Sequence, residues 1–355
     1  MRAVAAERPG ALELSVDVDG EARPALAYTA LVGPVHEGDR VLLNVTATTL
    51  DLGTGGLDFV VAVESREALD LDLDGSGHIM KLRYSPLQTA VLAVEDPAGA
   101  HHATMAAAES LDGTPVVWTP LHSMVAPVVA GARAAGADRV VYVMTDGAAL
   151  GAPLSRICAA LRSAGLLDAV ISSGQAFGGD LEAVNTFSGL LAAKAVAGAD
   201  VIVVGDGPGN TGTGTTWGAT DIESSLALVA AHILGGRPVA TLRISFADAR
   251  ERHRGVSHHS LTALAAVVGP GALVAVPVLA DPTQRTVVAE ALRAAGIGDR
   301  HLVVEAQGEP ALELLARQGI AVDSMGRGVE RDPAFFLAAG AAGAVAAGLA
   351  GEGAA

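Results

Sequence analysis

The residues best equipped for chemistry fall in four short stretches, each placed just after an apolar run of strand character. The richest is GDGPGNTGTGTTWG, residues 205–218, which follows Val201-Ile202-Val203-Val204. Its glycines let the backbone come close to a ligand and aim amide N–H groups at an anion. Asn210, Thr211, Thr213 and Thr215 add a row of small donors, making Asn210, Thr211 and Thr213 candidate substrate-binding residues. The competing reading is a solvated turn. The loop has no lysine, so it is not a Walker A phosphate loop. Asp206 also puts negative charge where an anion would sit, unless a metal intervenes.

The second stretch is Thr145-Asp146-Gly147, where Asp146 is a candidate general base, metal ligand or ribose acceptor; the bland alternative is a cap or turn former. The third is GQAFGGDLE, residues 174–182. Gln175, held between Gly174 and Ala176, is a candidate ligand contact, whereas Asp180 reads as the cap of a helix starting near Leu181. The fourth is HRGVSHHS, residues 253–260. With Ser257 as N-cap, His258 and His259 fall in a first helical turn, where the helix dipole disfavours imidazolium. Neutral imidazoles suit general-base work or metal binding, which makes His258 and His259 catalytic candidates. Adjacent helical residues point about 100° apart, so the two are not expected to face one ligand. Their spacing also matches no standard zinc pattern. Arg254 is the natural bidentate partner for a carboxylate or phosphate, with Arg327 in Ser324-Met325-Gly326-Arg327-Gly328 as a weaker second.

Other chemistries find no support. No G-x-S-x-G nucleophile elbow occurs, and no G-x-G-x-x-G follows the first α/β strand. Cys158, the only cysteine, lies on the apolar side of an amphipathic helix, so no disulfide framework exists within the chain. The net charge of −16 argues against nucleic acid and against an anionic membrane surface. The segment 335–350 is apolar but short and interrupted by glycines, and reads as a buried terminal helix. With no apolar leader in MRAVAAERPG, the expectation is a cytoplasmic protein.

The elements that must position these residues divide in two. Residues 1–66 alternate Leu12, Leu14, Val16 and Val18 with polar partners, turn at Asp19-Gly20, and continue as further short strands. This pattern predicts a small N-terminal β-barrel, SH3-like or OB-like. Residues 67–87, with an acidic stretch at 69–77, read as a connection. From 88 to 355 apolar strands at 91–95, 115–118, 139–145, 169–173, 200–204, 239–245, 273–278 and 301–305 alternate with helices. Such alternation predicts an α/β domain with a mostly parallel, doubly wound, Rossmann-like sheet. Ligands of such sheets sit beyond the carboxyl ends of the strands, where all four polar stretches fall.

Six segments also carry a family resemblance: LLNVTATTLDLGTGG (42–56), GHIMKLRYSPLQ (77–88), VMTDGAAL (143–150), GQAFGGDLEAVN (174–185), GPGNTGTGTTWG (207–218) and RERHRGVSHHSLTAL (250–264). Together they resemble the family known as domain of unknown function 3866, over nearly the whole chain. The resemblance implies a bacterial protein and transfers no catalytic residue. The residues themselves favour an enzyme acting by hydrolysis or group transfer on a small phosphate- or carboxylate-bearing substrate. The alternative is a non-enzymatic metabolite-binding or regulatory module. The sequence names no cofactor and leaves room for a divalent metal and for a homo-oligomer.

Overall fold

A computed structural model of the chain describes residues 1–51, 55–66 and 77–352. The acidic connection at 69–76 and part of the turn at 53–56 lie outside the described residues. The N-terminal strands are β1 (Ala3–Arg8), β2 (Ala11–Val18), β3 (Glu21–Tyr28), β4 (Val41–Asn44) and β5 (Asp58–Val63), in the order β1-β2-β3-β5-β4. Asp19 and Gly20 both have positive φ, as a tight two-residue hairpin turn requires. Leu12, Leu14 and Val16 are buried as the alternation predicts.

The expected barrel does not close. Its end strands, β1 and β4, remain the edges of an open sheet. The apolar face that a barrel would fold against itself is covered partly by Leu31, Val32 and Val35 of the same N-terminal segment and partly from outside. Phe177 and Leu150 of the α/β domain pack into its core, and Tyr28 meets the Phe177 ring edge-on at 5.5 Å. Arg156 and Arg8 both hold Glu13, and Arg8 also donates to Pro153 O at 2.6 Å.

A two-stranded hairpin follows, β6 (Ile79–Lys81) and β7 (Thr89–Val91). The strand expected at 91–95 is therefore not the first of the large sheet; beyond Val91 the chain reaches that sheet through an isolated bridge of Ala93 to Glu182, with Val94 N donating to Glu182 O at 2.8 Å. The large sheet contains β8 (Pro115–Thr119), β9 (Val140–Thr145), β10 (Ala169–Ser172), β11 (Leu181–Glu182), β12 (Val201–Asp206) and β13 (Arg237–Thr241). The strand expected at 239–245 breaks, leaving β14 (Ile244–Ser245) to pair antiparallel with β15 (Gly255–Val256). Then come β16 (Leu273–Pro277) and β17 (Leu302–Ala306). The order is β11-β10-β9-β12-β8-β13-β16-β17, parallel throughout.

Two apolar cores lie on the two faces. Helices Val125–Ala134, Arg156–Ser163, Glu309–Arg317 and Pro333–Glu352 cover one face. Helices Thr186–Ala195, Leu226–Ile233 and Pro282–Ala294 cover the other. This explains why β8, β9, β10 and β12 are buried along their whole length. Helix Pro333–Glu352 is long and apolar enough to cross a membrane, yet Phe335, Phe336, Ala339 and Ala342 are fully buried against the sheet and its neighbours. Gly343 makes this possible, because a Cβ there would collide with the Val128 carbonyl.

Cap chemistry fixes the helix starts. Asp281 accepts from Thr283 N at 2.8 Å ahead of Pro282. Asn185 and Ser188 form a reciprocal capping box. Asp180, by contrast, caps nothing. Leu181-Glu182 is strand, and the Asp180 carboxylate instead accepts from Val170 N and pairs with Arg162 at 2.9 Å.

From β8 the chain winds across to β9, β10 and β11, returns at β12 between β9 and β8, and then continues to β13 on the far side of β8. The winding direction reverses at β12 and β8. In open α/β sheets the crevice outside such a reversal is where ligands bind.

Candidate functional site

Asp206, the last residue of β12, lies at that reversal and is buried. Its carboxylate accepts from Thr145 Oγ1 at 2.6 Å and from Asn210 Nδ2 at 2.8 Å. Burial pushes its pKa up to about 6, against the Thr145, Gly147 and Thr220 hydrogen bonds that favour the charge; Asp146 raises it further. Asn210 Nδ2 also reaches Thr220 Oγ1 at 3.2 Å, which ties the glycine-rich loop back to the strand end.

One residue further on, Asp221 is buried too, and burial pushes it up to about 6; Arg243 opposes this and Asp206 adds to it. Asp221 Oδ1 has no hydrogen-bond partner and stands 3.6 Å from His259 Nδ1. His259 belongs to a cluster with His258 and His253. The ring centroids of His258 and His259 are 3.9 Å apart, and His253 lies 5.4 Å and 5.5 Å from them. His253 Nδ1 is within 2.9 Å of Ser257 Oγ, so this hydroxyl is engaged by an imidazole rather than capping the helix. Burial, reinforced by Arg243, lowers His253 to about 3; burial, then His258 and Arg243, lowers His259 to about 4. Burial and Arg252 lower His258 as well. All three rings are therefore neutral near neutral pH.

The expectation that His258 and His259 diverge fails for a local reason. The helix His258–Thr262 is one turn long and opens at once into a π-turn at Ala263–Val267. Rings from that first turn lean toward His253, which arrives from the turn Glu251–His253. Such π-turns recur at functional sites.

Cationic charge stands alongside. Arg243, Arg250 and Arg327 converge on Asp248, at 3.2, 2.8 and 3.5 Å, which holds its carboxyl well below the usual range. Arg327 further binds Asp332, which also accepts from Ser245 Oγ. Arg252 lies beside Gly214, where a Cβ would sit 3.2 Å from its guanidinium carbon.

The residues singled out from sequence are thus placed unevenly. His258, His259 and Asn210 stand in the crevice. Asp146 lies exposed at its mouth and accepts the Gln175 amide at 2.8 Å, so it braces one strand-end loop against the next. Gln175 Oε1 is engaged by Arg83 N at 3.1 Å. Thr211 and Thr213 are exposed, and the Thr213 hydroxyl is turned onto Thr215 and Gly218 O, which closes the loop on itself. Arg254 is exposed, as is Arg252; the cations that act on the imidazoles are Arg243 and Arg252, with Arg250 acting on His253. Sequence reasoning missed Asp221, Arg243 and Arg252, and saw Asp206 only as an objection to anion binding. A signal for Asp206 was present: a carboxylate closing a fully apolar strand must be held by partners, and partners gather at strand ends.

Behind the loops, Lys81 is fully buried. Its Nζ donates to Gly174 O and Ala183 O at 2.9 and 3.0 Å and faces Glu182 at 3.3 Å. Burial lowers Lys81 and raises Glu182 to about 7. This clamp ties the β6–β7 hairpin to the carboxyl end of β10. A shallow apolar hollow of about 360 Å³, lined by Leu312, Leu315, Ile320, Val322 and Val329 among others, lies elsewhere and holds no titratable group.

Fold and cluster together define a doubly wound α/β protein with imidazoles and buried carboxyl groups gathered at its winding reversal. The chain belongs to the family described as protein of unknown function (DUF3866), whose model matches residues 24–343. No curated protein and no solved structure matches it.

Proposed function

We propose that the crevice outside β12, β8 and β13 is the active site of an enzyme acting on a small phosphate- or carboxylate-bearing substrate, by hydrolysis or group transfer. The observation that carries this reading is the approach of Asp221 Oδ1 to within 3.6 Å of His259 Nδ1, beside buried Asp206 and two further imidazoles. Buried carboxyl groups with raised pKa values next to neutral imidazoles are what proton transfer near neutral pH calls for. Arg252 at the loop edge supplies the charge that attracts the anion, and the glycine-rich loop forms one wall. Asn210 orients Asp206. Trp217, which is 61% exposed in that loop, offers a fluorescence reporter for the loop.

A panel of phosphomonoesters, phosphodiesters and carboxylic esters at neutral pH tests the reading. Turnover is expected for one class, and His258→Ala is expected to lower it by roughly 100-fold or more. A turnover that neither His258→Ala nor Asp221→Asn slows places the chemistry elsewhere. Saturable quenching of Trp217 fluorescence without turnover makes the protein a binding module instead.

A further inference from the structure

We infer that His253, His258 and His259 bind one divalent transition-metal ion of the zinc class at the crevice. This inference rests on the reading that the crevice is the reactive site and names what acts there. The candidate ligand atoms of the three histidines all lie within 4.8 Å of one another. Zinc bound at about 2.0–2.1 Å by tetrahedral nitrogen ligands requires a somewhat tighter set, so loading draws the rings inward. His258 Nε2 and His259 Nε2 are both buried with no hydrogen-bond partner, and His259 is only 3% exposed. A buried ring nitrogen without a hydrogen-bond partner presents its lone pair to a cation when the ring proton sits on the other nitrogen.

Outer partners complete the pattern. Metal-bound histidines pass their other ring nitrogen to a carboxylate, carbonyl or hydroxyl that fixes the ring. Here Ser257 Oγ holds His253 Nδ1 at 2.9 Å, leaving Nε2 as its ligand atom, and Asp221 Oδ1 faces His259 Nδ1 at 3.6 Å. Gly212 passes so close that a Cβ there would lie 3.0 Å from His259 Cε1, so the loop roofs the imidazoles. Arg243 and Arg252 oppose a cation at this place, while Asp221 and Asp206 offset them. Three imidazoles with a carboxylate behind one of them suit zinc, with cobalt as its spectroscopic stand-in. An open fourth position would carry water and lower its pKa toward neutrality, the nucleophile that hydrolysis of an anionic ester requires.

The test loads chelator-stripped full-length protein with Zn²⁺ and, separately, Co²⁺. One equivalent per chain and the visible spectrum of tetrahedral Co²⁺ are expected. His258→Ala, at the half-buried member of the cluster, is expected to weaken Zn²⁺ by on the order of 100-fold, and Asp221→Asn by about tenfold. His232→Ala, an exposed histidine remote from the cluster in sequence, is expected to leave affinity unchanged. Circular dichroism confirms that each variant is folded. Absence of stoichiometric Zn²⁺, or full affinity in both His258→Ala and Asp221→Asn, overturns the site. Metal content is read without substrate, so a metal-loaded protein that turns nothing over defeats the enzyme reading alone. Turnover by metal-free protein defeats the metal alone.

Discussion

At the residue scale the telling group is Asp206. A carboxyl whose folded pKa is raised above its unfolded value binds its proton more tightly in the native state. Stability is then fully present below the unfolded value and declines as pH climbs to the folded one. For Asp206 that window runs from its ordinary 3.8 up to about 6. Across it the ionising carboxylate costs on the order of 3 kcal/mol. Asn at this position keeps the shape and the Asn210 and Thr145 contacts, since its carbonyl can accept from Asn210 and the Thr145 hydroxyl can reverse to accept from its amide. Urea titrations of Asp206→Asn and the parent from pH 4 to 8 are expected to diverge in favour of Asn up to about pH 6 and run parallel above it. Parallel curves throughout would mean that Asp206 ionises as freely in the folded chain as in the unfolded one.

At the element scale, the terminal helix shows how small residues set the distance between layers. Gly343 lies where a Cβ would strike the Val128 carbonyl of helix Val125–Ala134, whereas a Cβ at Gly348, in the same helix, meets nothing within 4 Å. The same substitution should therefore have opposite signs. Gly348→Ala gains helix propensity and is expected to stabilise by up to about 1 kcal/mol. Gly343→Ala must push two helices apart and is expected to destabilise by about 1–3 kcal/mol. Thermal melts of the two variants decide this; equal shifts of the same sign would show that the helices are not in close contact. The one-turn helix at His258 makes the related point that a short element followed by a π-turn escapes the angular rule that governs long helices.

At the scale of the whole molecule, the open N-terminal sheet shares the cover of its apolar face between its own residues 31–35 and the α/β domain. Phe177, 3% exposed, is the side chain that joins the two cores. Replacing it with Ala removes an aromatic ring from that junction and is expected to cost about 3–5 kcal/mol. The parent is expected to melt in one transition, and Phe177→Ala in two, the earlier one bringing tryptic cleavage between residues 1 and 66. One transition at an unchanged midpoint would show that the sheet is held elsewhere, for example by Arg156 and Arg8 on Glu13.

Much of this protein was decided by its sequence. Fully apolar strands alternating with helices can bury both strand faces only in a parallel, doubly wound sheet, and Asp281-Pro282, Glu309-Pro310 and Asp332-Pro333 each put a proline in the first turn of a helix, with a side-chain cap at Asp281. The polar stretches fell at strand ends because a buried strand tolerates polar groups nowhere else. Only the tertiary structure settled the rest. The strand order that puts Asp206 at the reversal depends on contacts between strands far apart in the chain. The N-terminal sheet stays open, with its apolar face shared between its own Leu31, Val32 and Val35 and Phe177 from a distant loop. Asp221, Arg243 and His253 join His259 although they carry no shared motif, because a three-dimensional crevice imposes no spacing on the residues that line it.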